Sequence, residues 1–140
     1  MTAFFASRQC PGTAIRAAMD WALHQARDVV ISGFHSPLEQ SVLKVLTQAR
    51  SPVVVVLARP VDGAKLPPDW AEPLALGHLA VVSAATKASR LTGDVATARN
   101  NLVAHLATRI VVAHASPGGV LATLVAQWQL VGQRGLEVLG

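Results

Sequence analysis

A chain of 140 residues, 51% hydrophobic and 14% charged, is long enough for a domain with a real core and too apolar for a disordered one. Twelve basic residues against eight acidic ones give a formal net charge of +4, which suits an anionic partner. The basic residues are scattered, and no polybasic run marks a nucleic-acid patch.

Thr2–Ala6 is a short apolar run that reads as a first strand. Pro11–Gly12 breaks the chain and opens a helix to about Gln25. Its Ile15, Ala18, Met19 and Ala22 recur at helical spacing and are expected to face inward, with Arg16, Asp20 and His24 on another face. Asp28–Ser32 reads as a second strand. Gly33 ends it, and Pro37 stands where a new helix begins. That helix runs to about Ala49, with Leu38, Val42, Leu46 and Ala49 as its buried stripe. Val53–Ala58 is a continuous β-branched run, as expected of a strand buried on both faces.

Arg59–Pro73 is rich in Pro and Gly and reads as a loop, with a short helical turn over Trp70–Ala75. Leu79–Ser83 predicts a fourth strand and Thr86–Gly93 a loop. Asp94–Ala107 predicts a helix with Leu102, Val103 and Leu106 inward. Ile110–His114 is a fifth strand, Ser116–Gly119 a tight loop, and a helix follows to about Gly132. Leu136–Leu139 closes the chain as a short strand. Strands separated by helices of this length form right-handed βαβ units. The pattern therefore predicts one domain over 1–140. Its fold class is α/β: a three-layer, doubly wound, Rossmann-like fold with a mainly parallel sheet of about five to six strands.

A single cysteine, Cys10, excludes an internal disulfide and points to a reducing, cytoplasmic setting. Met1–Cys10 lacks the charged start and apolar stretch of a signal peptide, and no run of about 18 apolar residues predicts a membrane span.

In a parallel α/β sheet, ligands bind beyond the carboxyl ends of the strands. Those positions hold Ser7, Arg8, Gln9 and Cys10, then Ser32, Gly33, Phe34, His35 and Ser36. They continue with Arg59, Pro60 and Asp62, with Ser83 to Lys87, and with His114, Ser116, Pro117, Gly118 and Gly119. Gly118 and Gly119 precede a helix whose free N–H groups and dipole suit a phosphate, and Thr123 adds a hydroxyl. Glycines at such turns also serve backbone geometry alone, and neither G-x-G-x-x-G nor G-x-x-x-x-G-K-[ST] is present. Cys10, near a helix start, is either a thiol of lowered pKa or a small packing residue, the plainer reading. His35 and His114 lack a third ligand at metal-binding spacing, so no metal and no cofactor are expected. Trp21, Trp70 and Trp128 read as packing residues. The helix over Val120–Val131 is apolar around most of its circumference, which predicts a homodimer interface there, burial within the monomer being the other reading.

Four segments together resemble the Rossmann-like domain of the DNA-processing protein DprA (Smf) family. Ala6-Ser7-Arg8 is similar to its G-S-R, and Val30-Ile31-Ser32-Gly33 to the V-V-S-G that begins its S-G-x-A-x-G-I-D motif. Arg99-Asn100-Asn101-Leu102-Val103-Ala104 is similar to its R-N-R-I-I-A. Gly119-Val120-Leu121-Ala122-Thr123, then Gly132-Gln133-Arg134 and a strand ending in Gly140, resemble S-G-S-L-x-T-A and G-R-x-V-x-x-V-P-G. The chain departs from the pattern at Phe34-His35-Ser36-Pro37-Leu38-Glu39 and at Val120, where the family has a second serine.

The resemblance implies a Rossmann-like fold, a cytoplasmic protein and a dimer. It also implies a non-catalytic domain that binds single-stranded DNA through a basic pocket and passes it to a recombinase in DNA processing or uptake. Carried over residue by residue, the ligand set is Arg8, Ser32, Gly33, Arg99, Asn100, Gly119 and Thr123, which Ser7, His35 and Gly118 join by position. An Arg, hydroxyls and backbone N–H groups suit a phosphate backbone held without base reading. The alternative is a sensor for a small nucleotide at the same edge. Pro117-Gly118-Gly119 is also similar to the P-G-G-x-G-T-x-x-E motif of lysine decarboxylase-like nucleotide phosphoribohydrolases. Here Leu121, Ala122 and Val125 replace its third Gly, Thr and Glu, which leaves acid–base chemistry without an agent.

Overall fold

The computed structural model describes residues 1–25, 28–83, 93–133 and 135–139, without the side chains of 93–96. The strands are β1 (Thr2–Phe5), β2 (Val30–Ser32), β3 (Val53–Leu57), β4 (Leu79–Ser83), β5 (Arg109–Val112) and β6 (Leu136–Val138). The helices are α1 (Gly12–Leu23), α2 (Pro37–Gln48), α3 (Ala71–Ala75), α4 (Gly93–Leu106) and α5 (Val120–Leu130), with a 3-10 turn at Pro68–Trp70. They form a six-stranded sheet in the order β4-β3-β2-β1-β5-β6, and every neighbouring pair is parallel.

Side chains alternate across the pleat, so each buried strand feeds two cores. Phe4 points to the face covered by α1 and α2 and stacks on Trp21 at 5.1 Å. Phe5 points to the face covered by α4 and α5 and meets Trp128 at 5.3 Å. Val53, Val55 and Leu57 of β3 join the first core and Val56 joins the second. This is why that strand reads as an unbroken apolar run. The result is a three-layer, doubly wound, Rossmann-like arrangement.

Helix phases differ from the sequence expectation in three places. α1 buries Ala14, Ala18 and Ala22, while Ile15 is 43% exposed. An alanine stripe lets the helix backbone approach closely, and the bulkier Ile15 is turned away from it. On α2, Leu38, Val42 and Leu46 are buried, but Ala49 is the C-cap and is exposed. α4 buries Val103 and Ala104 and leaves Leu106 outside. Strand ends also shorten: β2 starts at Val30, because Asp28 instead accepts a hydrogen bond from the buried Thr2 hydroxyl.

Most of the expected Thr86–Gly93 loop, Ala84 to Lys87, Arg134 and Gly140 lie outside the described residues. Among the described residues no helix is long and apolar enough to cross a membrane, and no cluster of three or more potential metal ligands occurs.

Candidate phosphate-binding cleft

From β1 the chain steps outward through β2 and β3 to β4, then returns to place β5 on the other side of β1. The loops after β1 and β5 therefore diverge, and a crevice opens at their carboxyl ends. A cleft of about 610 Å³ lies there. Ser7, Arg8 and Gln9 line it from the β1 loop, and Ser116 and Gly119 from the β5 loop. His35, Ser36 and Glu39 enter from beyond β2, and Thr97, Arg99 and Asn100 from α4.

Hydrogen bonds staple the two loops together. Ser7 donates its N–H to His114 O at 2.9 Å, and the Ser7 hydroxyl accepts from Ser116 N–H at 2.8 Å. The Ser116 hydroxyl donates in turn to Gln9 O at 3.2 Å. The Cys10 thiol donates to Ser7 O at 3.2 Å. Burial, and secondarily the Glu39 carboxylate, push that thiol above its ordinary value. Cys10 is thus a packing thiol, not the activated one that its place near a helix start allowed. Gly118 takes φ +76 to make the turn into α5, and Gly119 caps that helix without any side-chain bond. The first amides of α5 thus meet the cleft without a side-chain cap, at the positive end of the helix dipole.

Glu39 organises the floor. It is buried at 7% exposure, yet its carboxylate is fully engaged. Oε1 accepts from His35 N–H at 2.8 Å and Ser36 N–H at 3.0 Å, and Oε2 accepts from Ala6 N–H at 3.1 Å. The Ser36 hydroxyl accepts from Glu39 N–H at 3.3 Å, which completes a capping box at the start of α2. One side chain thereby ties the end of β1 to the loop after β2. That loop is held in an uncommon form: Phe34 sits at φ +46, and its N–H donates to the Ser32 hydroxyl at 3.0 Å. A left-handed phenylalanine costs about 1 kcal/mol and persists here because the ring is buried.

Arg99 crosses the same loop. A Cβ added to Gly33 would meet Arg99 Nε at 2.8 Å, so the bare glycine makes room for the side chain. Desolvation lowers the affinity of the guanidinium for its proton, and the Glu39 carboxylate opposes that shift. Among the described residues its hydrogen-bond acceptor is Asn100 Oδ1, 3.3 Å from both Nε and Nη2. A guanidinium carries five N–H donors, so most have no acceptor among the described residues.

The structure thus brings Ser7, Arg8, His35, Arg99, Asn100 and Gly119 to one cleft, with Gly33 directly beneath Arg99. Four residues of the expected ligand set do not line it, the first being Gly33 beneath Arg99. Ser32 is fully buried, and its hydroxyl shapes the β2 turn. Gly118 supplies only the left-handed turn. Thr123 returns its hydroxyl to Gly119 O at 3.3 Å along its own helix. Glu39 escaped the sequence reading, although S-x-x-E at Ser36–Glu39 is a helix-start signature. Glu39, the eighth residue counted with Ser32 as the first, also falls on the acidic position of S-G-x-A-x-G-I-D.

No protein-family model and no curated protein match the chain. Its fold is similar to that of DNA processing protein A (DprA) from Streptococcus pneumoniae, seen in an X-ray structure, with a TM-score of 0.72 and 17% identity. The match covers 98% of this chain and 48% of that one, so the chain spans about half the length of the DprA chain it matches. At this identity the likeness establishes the architecture: the chain has a DprA-like, Rossmann-like α/β fold.

Proposed function

We propose that the chain, acting as one domain, is a non-catalytic binding module for the phosphate backbone of single-stranded DNA, in the manner of a DNA-processing protein. The observation that carries this reading is the under-satisfied, desolvated Arg99 guanidinium in a cleft shared with Arg8, His35 and the uncapped start of α5. Among the described residues the one carboxylate lining that cleft, Glu39, is already occupied by backbone N–H groups. The local field therefore favours an anion. An arginine pair, a hydroxyl and helix-start amides fit backbone contacts without sequence preference.

The test is fluorescence anisotropy with a labelled thymidine oligonucleotide at low salt. Saturable binding that Arg99→Ala weakens about tenfold supports the reading. Absence of binding, or equal affinity for the variant, refutes it. A small nucleotide is the second reading, favoured by the bounded volume of about 610 Å³, within the range of small-molecule sites. A nucleotide panel that raises Tm would support it.

A homodimer through α5 belongs to the same proposal. Leu121, Leu124, Val125 and Trp128 are buried in the chain's own core, while Val120, Leu130 and Val131 stay exposed, as does Val138 of β6. The apolar excess on this helix is therefore real but smaller than its sequence implies. Sedimentation at micromolar concentration should show a dimer that Leu130→Glu dissociates. A monomeric wild type would remove the idea.

A further inference from the structure

A second cleft, of about 680 Å³, opens beyond the carboxyl ends of β2 and β3. His35 and Arg99 line both clefts, so the two are separated only by the ridge where Arg99 crosses Gly33. The walls of the second cleft combine two chemistries. Half-buried Trp70 provides the accessible aromatic surface, Phe34 and Leu57 are mostly buried in the wall, and Lys44 and Arg59 stand exposed at the rim. Among the described residues its lining contains one acid, Asp69, against three cations, Lys44, Arg59 and Arg99. Trp21 stacks on Phe4 and Trp128 meets Phe5 at a tilt, whereas Trp70 packs against the first core and also lines this cleft. Cations around an aromatic surface are what a nucleotide needs, since phosphate meets the charge and the base meets the ring.

We infer that the second cleft is a nucleotide subsite continuous with the first, so that the ligand is an oligonucleotide lying across the Gly33–Arg99 ridge, with its bridging phosphate on Arg99. This rests on the proposed phosphate-binding role of the first cleft and deepens it by fixing the ligand's minimum length. Each cleft alone falls within the ~300–1,000 Å³ that holds a small molecule. A dinucleotide or longer strand is the simplest ligand to use both. Arg99 is suited to the bridge, because its free donors border both spaces and a guanidinium holds a phosphate with two parallel bonds.

The experiment compares thymidine monophosphate with a thymidine trinucleotide at low salt, for wild type, Lys44→Ala, Trp70→Phe and Arg99→Ala. The trinucleotide should bind wild type about tenfold tighter than the monophosphate and quench tryptophan emission. Trp70→Phe should abolish that quench. Lys44→Ala should weaken the trinucleotide about fivefold more than the monophosphate. Equal affinity for the two ligands, or a trinucleotide that ignores Lys44→Ala and Trp70→Phe while Arg99→Ala weakens it, overturns the second subsite and leaves the first standing. If neither ligand binds, both readings fail.

Discussion

The Arg99 side chain occupies the space where a side chain at Gly33 would begin: a Cβ there would lie 2.8 Å from Nε and 2.9 Å from Cδ. Glycine at this position serves contact between elements, since Gly33 is not among the glycines at positive φ. Gly33→Ala is therefore compatible with the backbone and acts on the guanidinium. It should leave the circular dichroism spectrum unchanged and weaken oligonucleotide binding about tenfold, or ~1.4 kcal/mol. An alanine variant that binds like wild type would show that the position of Arg99 over Gly33 is irrelevant.

Glu39→Gln preserves shape but puts an amide NH2 where the carboxylate accepts from backbone N–H groups of Ala6, His35 and Ser36. At least one buried donor then loses its acceptor, which costs about 1–3 kcal/mol. Urea unfolding should show this loss with an unchanged m-value. A shift below about 0.5 kcal/mol would mean that the carboxylate is not needed as a tie.

These two residues also mark what the sequence made legible and what it did not. β3 was plain, because a run of valines buried on both faces has few other uses. The order of strands and helices was equally readable, and so was the placement of Arg99 at the edge where the cleft lies. Glu39 was missed because a charged residue reads as solvated surface until its partners are known, and those partners are backbone groups from two separate strand ends. Ser32 misled for the reverse reason: a hydroxyl at a strand end reads as available, yet the left-handed Phe34 turns its own N–H onto it. In α1 the alanine stripe carries too weak an apolar signal to set the helix phase against Ile15.

The Cys10 thiol is held above its ordinary value of 9.0 by burial and then by Glu39. The unfolded thiol therefore ionises first as pH rises. The contribution of Cys10 to stability is fully present below about 9.0 and is lost as pH climbs through the higher folded value. Iodoacetamide should modify the native protein more slowly than the denatured one, and the difference should persist at pH 9.0. Equal rates would contradict the burial argument.

Oligonucleotide affinity should fall with salt. Each phosphate neutralised on a single strand contributes a slope of about −0.7 to log K against log salt. Arg8 and Arg99 in the first cleft contribute about −1.4 to the slope, a phosphate held by Lys44 in the second adds about −0.7, and Arg8→Ala should reduce the slope by about 0.7. A slope that ignores the loss of Arg8 would remove that residue from the contact.

The most direct test of the central claim is an amide and arginine side-chain NMR titration with a short thymidine oligonucleotide. The proposed function puts the ligand between the loops after β1 and β5. Perturbations are expected at Ser7 to Gln9, at His35, at the Arg99 Nε–H and at Gly119 to Leu121, the lining of the first cleft, and at Lys44 and Trp70 where the strand continues into the second. Saturation with shifts centred elsewhere on the surface, or no shifts at all, would contradict the account.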